Sequence, residues 1–379
     1  MRSRTAAASR ILERIYSAQH EPFEVCDLDS GICLYGAGDL GSLAIEYCTA
    51  NQISIKAVFD RSPETSKLAS QTKIPVRSID SASSEDCVST PIAICLSNSS
   101  VEEVAINLKS RGWRLPIPFY AITGVARTGH PLANGWRVGA ISEKEAGEIR
   151  NICNLLADDE SVGHYESFVG WHSDYSELRH QEYPIDPGSR YVISQVAEAL
   201  KFQHGELVDI GSHTGSSIRR FRSAGIDFDR YVLVEPDSHS RALLDAQLPE
   251  ILPRGASVRL SPNVLSAAAT TVSFAEGLGY CSQIWGRNLS STDTITLDSL
   301  EVRPDLIKIH TEGSELDILI GAQETVDKFR PIITASIYHN RLGLSRFLSY
   351  FLVRHPNYDC YLRLHGYQGT SAYMYAIPR

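Results

Sequence analysis

Two short stretches of this chain combine residue types and spacings that can do chemistry. The first is Asp209-Ile210-Gly211-Ser212-His213-Thr214-Gly215, with Glu235-Pro236-Asp237 downstream. Gly211 and Gly215 let the backbone close on a ligand. Glu235, at the end of an apolar run, can accept both hydroxyls of a ribose. A loop that binds a pyrophosphate offers bare N–H groups to an anion. A loop entered through Asp209 suits instead a ligand that carries positive groups. Ser212 lies inside the loop, and Asp237 and Asn263 are further candidates for contacts to the same ligand.

The second stretch is Lys308-Ile309-His310-Thr311-Glu312, with Tyr338-His339 at the end of the next apolar run. Strand alternation puts Lys308, His310 and Glu312 on one face. Unpaired ionisable groups are costly to bury, so three on one face suggest a site. His310, Glu312 and His339 are the candidate catalytic residues: either imidazole as general base, with Glu312 orienting it or the acceptor. Lys308 is read as pairing structurally with a carboxylate. The competing reading of the rest is a structural network in which Glu312 caps the next helix. No metal is expected; an ion held by His310, Glu312 and Asp298 is the lesser alternative.

A third pattern, Gly36-Ala37-Gly38-Asp39-Leu40-Gly41, is a full G-x-G-x-x-G after the apolar run Ile32–Tyr35. Asp60 ends the following run, where a ribose would be gripped. Gly36, Gly38, Gly41 and Asp60 are therefore a candidate second nucleotide site, for a nucleotide, a nucleotide-sugar or nicotinamide chemistry. The alternative is that the glycines only make a tight turn.

These residues need elements that deliver them to strand ends. Strands are predicted at 32–35, 53–59, 91–96 and 119–122, with a helix at 42–50 and another from Ser100, whose spacing to Glu103 fits a capping box. Gly129, Pro131, Asn134 and Gly135 mark a linker. Helices are predicted at 143–156, 162–178 and 191–200. Then come strands 207–210, 231–235, 258–260, 271–274, 306–311, 332–337, 358–364 and 373–377, and helices 216–224, 238–248, 314–328 and 344–354. The last two strands are too close for a crossover and must form an antiparallel hairpin. The domains expected are a helix and lead-in (1–30), a small Rossmann-like α/β unit (31–125), a linker and helical connector (126–200), and a larger doubly wound α/β domain whose last strand is antiparallel (201–379).

Composition narrows the class. The chain has 379 residues, 43% of them hydrophobic and 21% charged, and a formal charge of −9. That charge leaves no footprint for nucleic acid. No apolar run reaches the ~18–20 residues of a membrane span. The eight cysteines show no paired spacing, which points to a reducing, cytoplasmic setting. Arg2, Arg4 and Arg10 make the start basic, but Ile11, Leu12 and Ile15 at helical spacing favour an amphipathic helix over a transit peptide.

The motifs Asp209–Gly215, Glu235-Pro236-Asp237, Thr296-Leu297-Asp298, Ile307–Glu315 with Gly321-Ala322, and Tyr338-His339 resemble, in that order, the FkbM family of S-adenosylmethionine-dependent methyltransferases. Tyr361–His365 and Tyr375–Pro378 extend the resemblance, which covers about residues 145–379. It implies a class I methyltransferase fold and S-adenosylmethionine as cofactor, whose ammonium and sulfonium fit the acidic loop. It also implies O-methylation of a hydroxyl on a sugar, glycan or secondary metabolite. The first unit is similar to the small Rossmann-like domain of some sugar acyltransferases. Two departures stand out: His310 replaces the family's Asp, and Leu342-Gly343-Leu344 stands where relatives carry an acid. The acceptor is expected to be a small molecule or glycan; oligomeric state is left open. The rivals are a nicotinamide-dependent oxidoreductase and a non-catalytic ligand-binding protein.

Overall fold

The computed structural model describes the chain apart from residues 1, 21–27, 66–67, 69–72, 124–129, 131, 133, 176, 178–181, 202–204, 278–281 and 285–289. Gly129 and Pro131 of the expected linker, and Leu178 at the end of an expected helix, lie outside the described residues.

Helix α1 (Arg2–His20) opens the chain. The first α/β unit then runs β1 (Ile32–Tyr35), α2 (Asp39–Ala50), β2 (Ile55–Asp60), β3 (Val76–Ser78), α3 (Ser84–Ser89), β4 (Ile92–Ile94), α4 (Val101–Ser110), β5 (Pro116–Pro118) and α5 (Phe119–Thr123). Its sheet is parallel, in the order β3-β2-β1-β4-β5. All of β1 and β4 is buried, as expected when both faces of a parallel sheet are covered. One expectation is corrected. Phe119–Ile122 is helical, and the strand lies just before it, paired with β4. A short apolar run does not by its period distinguish strand from buried helix, and all four of these side chains are buried.

Helices α6 (Glu143–Leu155), α7 (Asp159–Asp174) and α8 (Ser194–Leu200) connect to the larger unit. Ala7, Ala8, Ile11, Leu12 and Ile15 of α1 are buried in the core of that larger unit, with α6 and α7. Arg10 forks onto Glu166 at 2.7 and 2.8 Å. Trp171 and Tyr175, at the far end of α7, pack into the core of the first unit. One helix thus serves both cores.

The larger unit contains β6 (Glu206–Ile210), α9 (Ser216–Ser223), β7 (Arg230–Val234), α10 (Ser238–Ile251), β8 (Ser257–Ser261), β9 (Val264–Leu265), β10 (Thr271–Ala275), β11 (Gln283–Ile284) and β12 (Ser290–Ile295). It closes with β13 (Leu306–Ile309), α11 (Glu315–Ile320), α12 (Gln323–Phe329), β14 (Ile332–Ser336), α13 (Arg346–Arg354), β15 (Tyr358–Leu364) and β16 (Ala372–Pro378). Seven strands form the main sheet, β15-β16-β14-β13-β6-β7-β8. The strands are parallel except β16, which runs antiparallel between β14 and β15. The order reverses between β6 and β13, and beyond such a switch point the carboxyl ends of the strands leave a crevice.

Two further expectations change. The strand at 271–274 does not join the main sheet; β10 belongs to a separate four-stranded sheet, β11-β10-β12-β9. Ser314–Lys328 is two helices, not one, broken at Gly321. A Cβ there would lie 2.2 Å from the carbonyl oxygen of Ser266, so glycine admits the neighbouring loop.

Candidate active site

The crevice is a chamber of about 420 Å³. Gly211, Glu235 and Asn263 line it together with His310, Glu312 and Tyr338. Asp39, Leu40 and Tyr120 of the first unit complete the wall.

The glycine loop is held from below. Gly211 has φ +73°, and a Cβ on it would meet the His310 carbonyl oxygen at 1.9 Å. Lys308 Nζ donates to the Gly211 carbonyl at 2.6 Å and pairs with Asp209 at 2.8 Å. The Ser217 hydroxyl donates to Asp209 as well. Asp209, expected to meet the ligand's positive groups, is fully buried, does not line the chamber and pairs with Lys308. Ser212 donates to the Asp209 carbonyl at 2.7 Å. Gly215, at φ +79°, starts α9. Asp237 caps α10 by accepting from Ser240 N at 2.7 Å and also accepts from Gly277 N at 2.6 Å. Ser212, Gly215 and Asp237 therefore build the rim instead of lining it. Glu235 accepts from His213 N at 2.6 Å and Asp237 N at 3.0 Å, and burial pushes its carboxyl upward. It still faces the chamber with lone pairs to spare.

In the first unit, Asp60 accepts from Ala37 N at 2.7 Å and Ser62 N at 2.9 Å and is not on the chamber wall. Gly41 packs where a Cβ would lie 2.2 Å from the Gly36 carbonyl oxygen. Gly36 has φ +113°, and a Cβ there would meet the Cys95 carbonyl oxygen at 2.7 Å. Gly38 alone is exposed and open. Two of the three glycines thus serve local packing.

The catalytic candidates converge. Glu312 Oε1 lies 3.2 Å from His339 Nε2 and 3.6 Å from His310 Nε2. Strand alternation does not deliver this: β13 ends at Ile309, and Glu312 reaches the imidazoles through a left-handed backbone, φ +55°. Glu312 does not cap α11. The residue behind the cluster is Glu315, buried, which contacts His339 Nδ1 at 2.6 Å and accepts from Thr311 N at 3.1 Å and Ser336 Oγ at 3.0 Å. His310 Nδ1 lies 3.0 Å from the hydroxyls of Tyr191 and Tyr373, and Nε2 lies 3.1 Å from that of Tyr338. Burial, then the neighbouring His339, hold His310 well below the usual imidazole range. Burial opposes charge on His339 too, but Glu312 and Glu315 outweigh it and raise His339 to about 10.

Sequence reasoning missed Glu315, Tyr191, Tyr373 and Arg190. Glu315 carries a signal: it is an acidic residue shortly after Glu312, at the first position of α11. The other three come from distant segments with no local signature. Arg190 lines the chamber with its Nε buried and without a hydrogen-bond partner, and no carboxylate pairs with it among the described residues. Asp298 is not near the cluster; it caps α12, accepting from Glu324 N at 3.1 Å and Thr325 N at 2.8 Å.

A seven-stranded sheet with one inserted antiparallel strand, and a glycine loop at its switch point, is the architecture of class I methyltransferases. Residues 209–368 match the family model described as the Methyltransferase FkbM domain. The whole fold is similar to the crystal structure of Methyltransferase FkbM from Methylobacillus flagellatus KT, with TM-score 0.65, 17% identity, and coverage of 99% of this chain and 98% of that one. At that identity the likeness is one of fold. Precorrin-6y C5,15-methyltransferase from Geobacter metallireducens GS-15 (TM-score 0.31, 14% identity, 50% of this chain and 88% of that one) superposes too loosely to bear on function. So does an SAH-bound methyltransferase from Podospora anserina (0.28, 16%, 63% and 97%). A search of curated proteins finds no match. Among the described residues no helix is long and apolar enough to cross a membrane.

Proposed function

We propose that the chain is an S-adenosylmethionine-dependent methyltransferase that O-methylates a hydroxyl on a sugar, glycan or other small acceptor. The observation that carries this is one chamber lined by Gly211, Glu235, His310 and Glu312 together. Glu235 would hold the ribose hydroxyls, and the backbone at Gly211 would approach the amino-acid moiety. Arg190, without a carboxylate partner, would take that moiety's carboxylate. S-adenosylmethionine, when bound, supplies a methyl group on a positively charged sulfur, which keeps the electron pair of the C–S bond as the methyl leaves. The protein's task is then to hold the acceptor oxygen about 3–3.5 Å from that carbon and to take its proton. His310 is the imidazole that reaches the chamber, with its side chain 19% exposed and that of His339 0%. The acceptor is seated at the His310–Glu312–His339 cluster and loses its proton there.

Nicotinamide chemistry at Gly36–Gly41 has less support, because Asp60 is turned onto its own loop. Calorimetric titration separates the readings: binding of S-adenosylhomocysteine, with no response to NADH, is expected. Mass-shift screening of hydroxylated acceptors should show gain of one methyl group. Failure of S-adenosylhomocysteine to bind would sink the proposal. His310→Ala and Glu312→Gln are expected to lose at least ~100-fold in turnover with S-adenosylhomocysteine affinity kept.

A further inference from the structure

We propose that His310, Glu312 and His339 form a binding site for one divalent first-row transition-metal ion, placed where the acceptor hydroxyl arrives. One ligand atom from each residue lies within 4.8 Å of the other two. The two Nε2 atoms face the same oxygen, Glu312 Oε1, at 3.2 and 3.6 Å.

Hydrogen-bond accounting leads to a cation. His339 Nδ1 must carry its proton, because it faces Glu315 Oε1 at 2.6 Å, and a carboxylate oxygen only accepts. On the other side, Nε2 is buried and has no hydrogen-bond partner, although Glu312 lies within ion-pair distance. Tyr373 donates to Tyr191 at 3.5 Å, which leaves the Tyr373 oxygen free to accept from His310 Nδ1–H at 3.0 Å. His339 is thereby held with Nδ1–H toward Glu315, so that once its other proton leaves, the Nε2 lone pair points at Glu312; His310 takes the same setting when Tyr373 accepts from its Nδ1. Metal-binding imidazoles are held in this way, by a carboxylate or another oxygen behind the ring. Two inward lone pairs and a carboxylate repel one another unless something positive lies among them. A proton satisfies one contact; a divalent ion satisfies all three and balances the charges of Glu312 and Glu315. The Tyr338 hydroxyl, 3.1 Å from His310 Nε2, has to turn away when the ion enters.

Two imidazoles and one carboxylate suit Mn, Fe, Co or Zn; Mg and Ca prefer oxygen alone. His310 and Glu312 border the chamber, so the ion's open positions face it. With an ion bound, both Nε2 atoms would be ligated, so the acceptor hydroxyl's proton would pass to solvent instead of to His310, and its electron pair would stay on oxygen for the methyl carbon. Coordination lowers the pKa of a bound oxygen. This role rests on the methyltransferase reading; the site itself does not.

The test uses full-length protein stripped with a chelator and reloaded with Co²⁺, Mn²⁺ or Zn²⁺. One equivalent per chain by elemental analysis is expected, with a Co²⁺ ligand-field absorption band and a raised melting temperature. Glu312→Gln and His339→Gln should weaken binding at least ~100-fold, and Glu315→Gln by about 10–100-fold. Asp298→Asn, which alters only the cap of α12, should bind as wild type. His310→Ala, whose ring is partly exposed, serves if the buried variants do not fold. Less than a tenth of an equivalent bound by wild type that retains S-adenosylhomocysteine affinity overturns the site. So does undiminished metal binding by folded ligand variants. Metal uptake with no binding of S-adenosylhomocysteine would leave the site standing and remove the methyltransferase reading.

Discussion

Lys308 and Asp209 neutralise each other in the core, 2% and 0% exposed in their side chains, and the lysine also fixes the Gly211 carbonyl. Removing one partner leaves a buried charge, at about 3–5 kcal/mol. Asp209→Asn is therefore expected to lower stability by that order in urea titrations, although Asp209 does not line the chamber. Gly211→Ala puts a Cβ against the His310 carbonyl, at a φ that L residues rarely adopt. It should abolish S-adenosylhomocysteine binding in calorimetry even where the fold survives. Arg190→Gln separates carboxylate recognition from nucleoside recognition. S-adenosylhomocysteine should bind at least ~10-fold more weakly, the order of one charge-assisted contact. Methylthioadenosine, which has no carboxylate, should bind unchanged; equal loss for both ligands would refute the assigned role.

Among elements, α7 is tied to the closing hairpin at its first turn. Asp158 caps it, accepting from Ser161 N at 2.8 Å, and receives Arg363 of β15 at 3.1 and 2.6 Å. Burial alone would raise the Asp158 carboxyl, but Arg363 and Ser161 more than offset this and hold it below the usual range. A carboxyl depressed on folding contributes stability above its unfolded pKa and loses it as pH falls through the folded one. Asp158→Asn should thus lower the melting temperature at pH 7, with the gap to wild type narrowing below about pH 4. Element type was legible where periodicity or capping was strong: Ser100, read from its spacing to Glu103 as a helix start, accepts from Glu103 N at 3.3 Å at the start of α4, though the reciprocal half of the box is not formed. It was not legible at Phe119–Ile122, where burial on all sides removes the period, nor at Gly321, whose reason is a loop distant in sequence.

The two units are one molecule around the chamber and α7. Trp171, 1% exposed, packs with Phe59, Trp113 and other residues of the first unit, while the preceding turns of α7 pack with α1 in the second core. Thermal unfolding followed by near-UV circular dichroism should show one transition. Trp171→Ala, at about 3–5 kcal/mol, should separate it into two; a single unshifted transition would mean that the units are coupled elsewhere.

The sequence alone determined most of the main sheet, its closing hairpin, and that Gly211, Glu235 and His310 border one crevice. Strand runs and crossover lengths constrain those locally. Tertiary structure alone decided what each group faces. Asp209 turns inward because Lys308 lies across the neighbouring strand. Asp60 turns onto its own loop. Glu315, Tyr191 and Tyr373 come from separate segments to set the two imidazoles. Such contacts depend on which atoms meet in space, which local spacing does not encode.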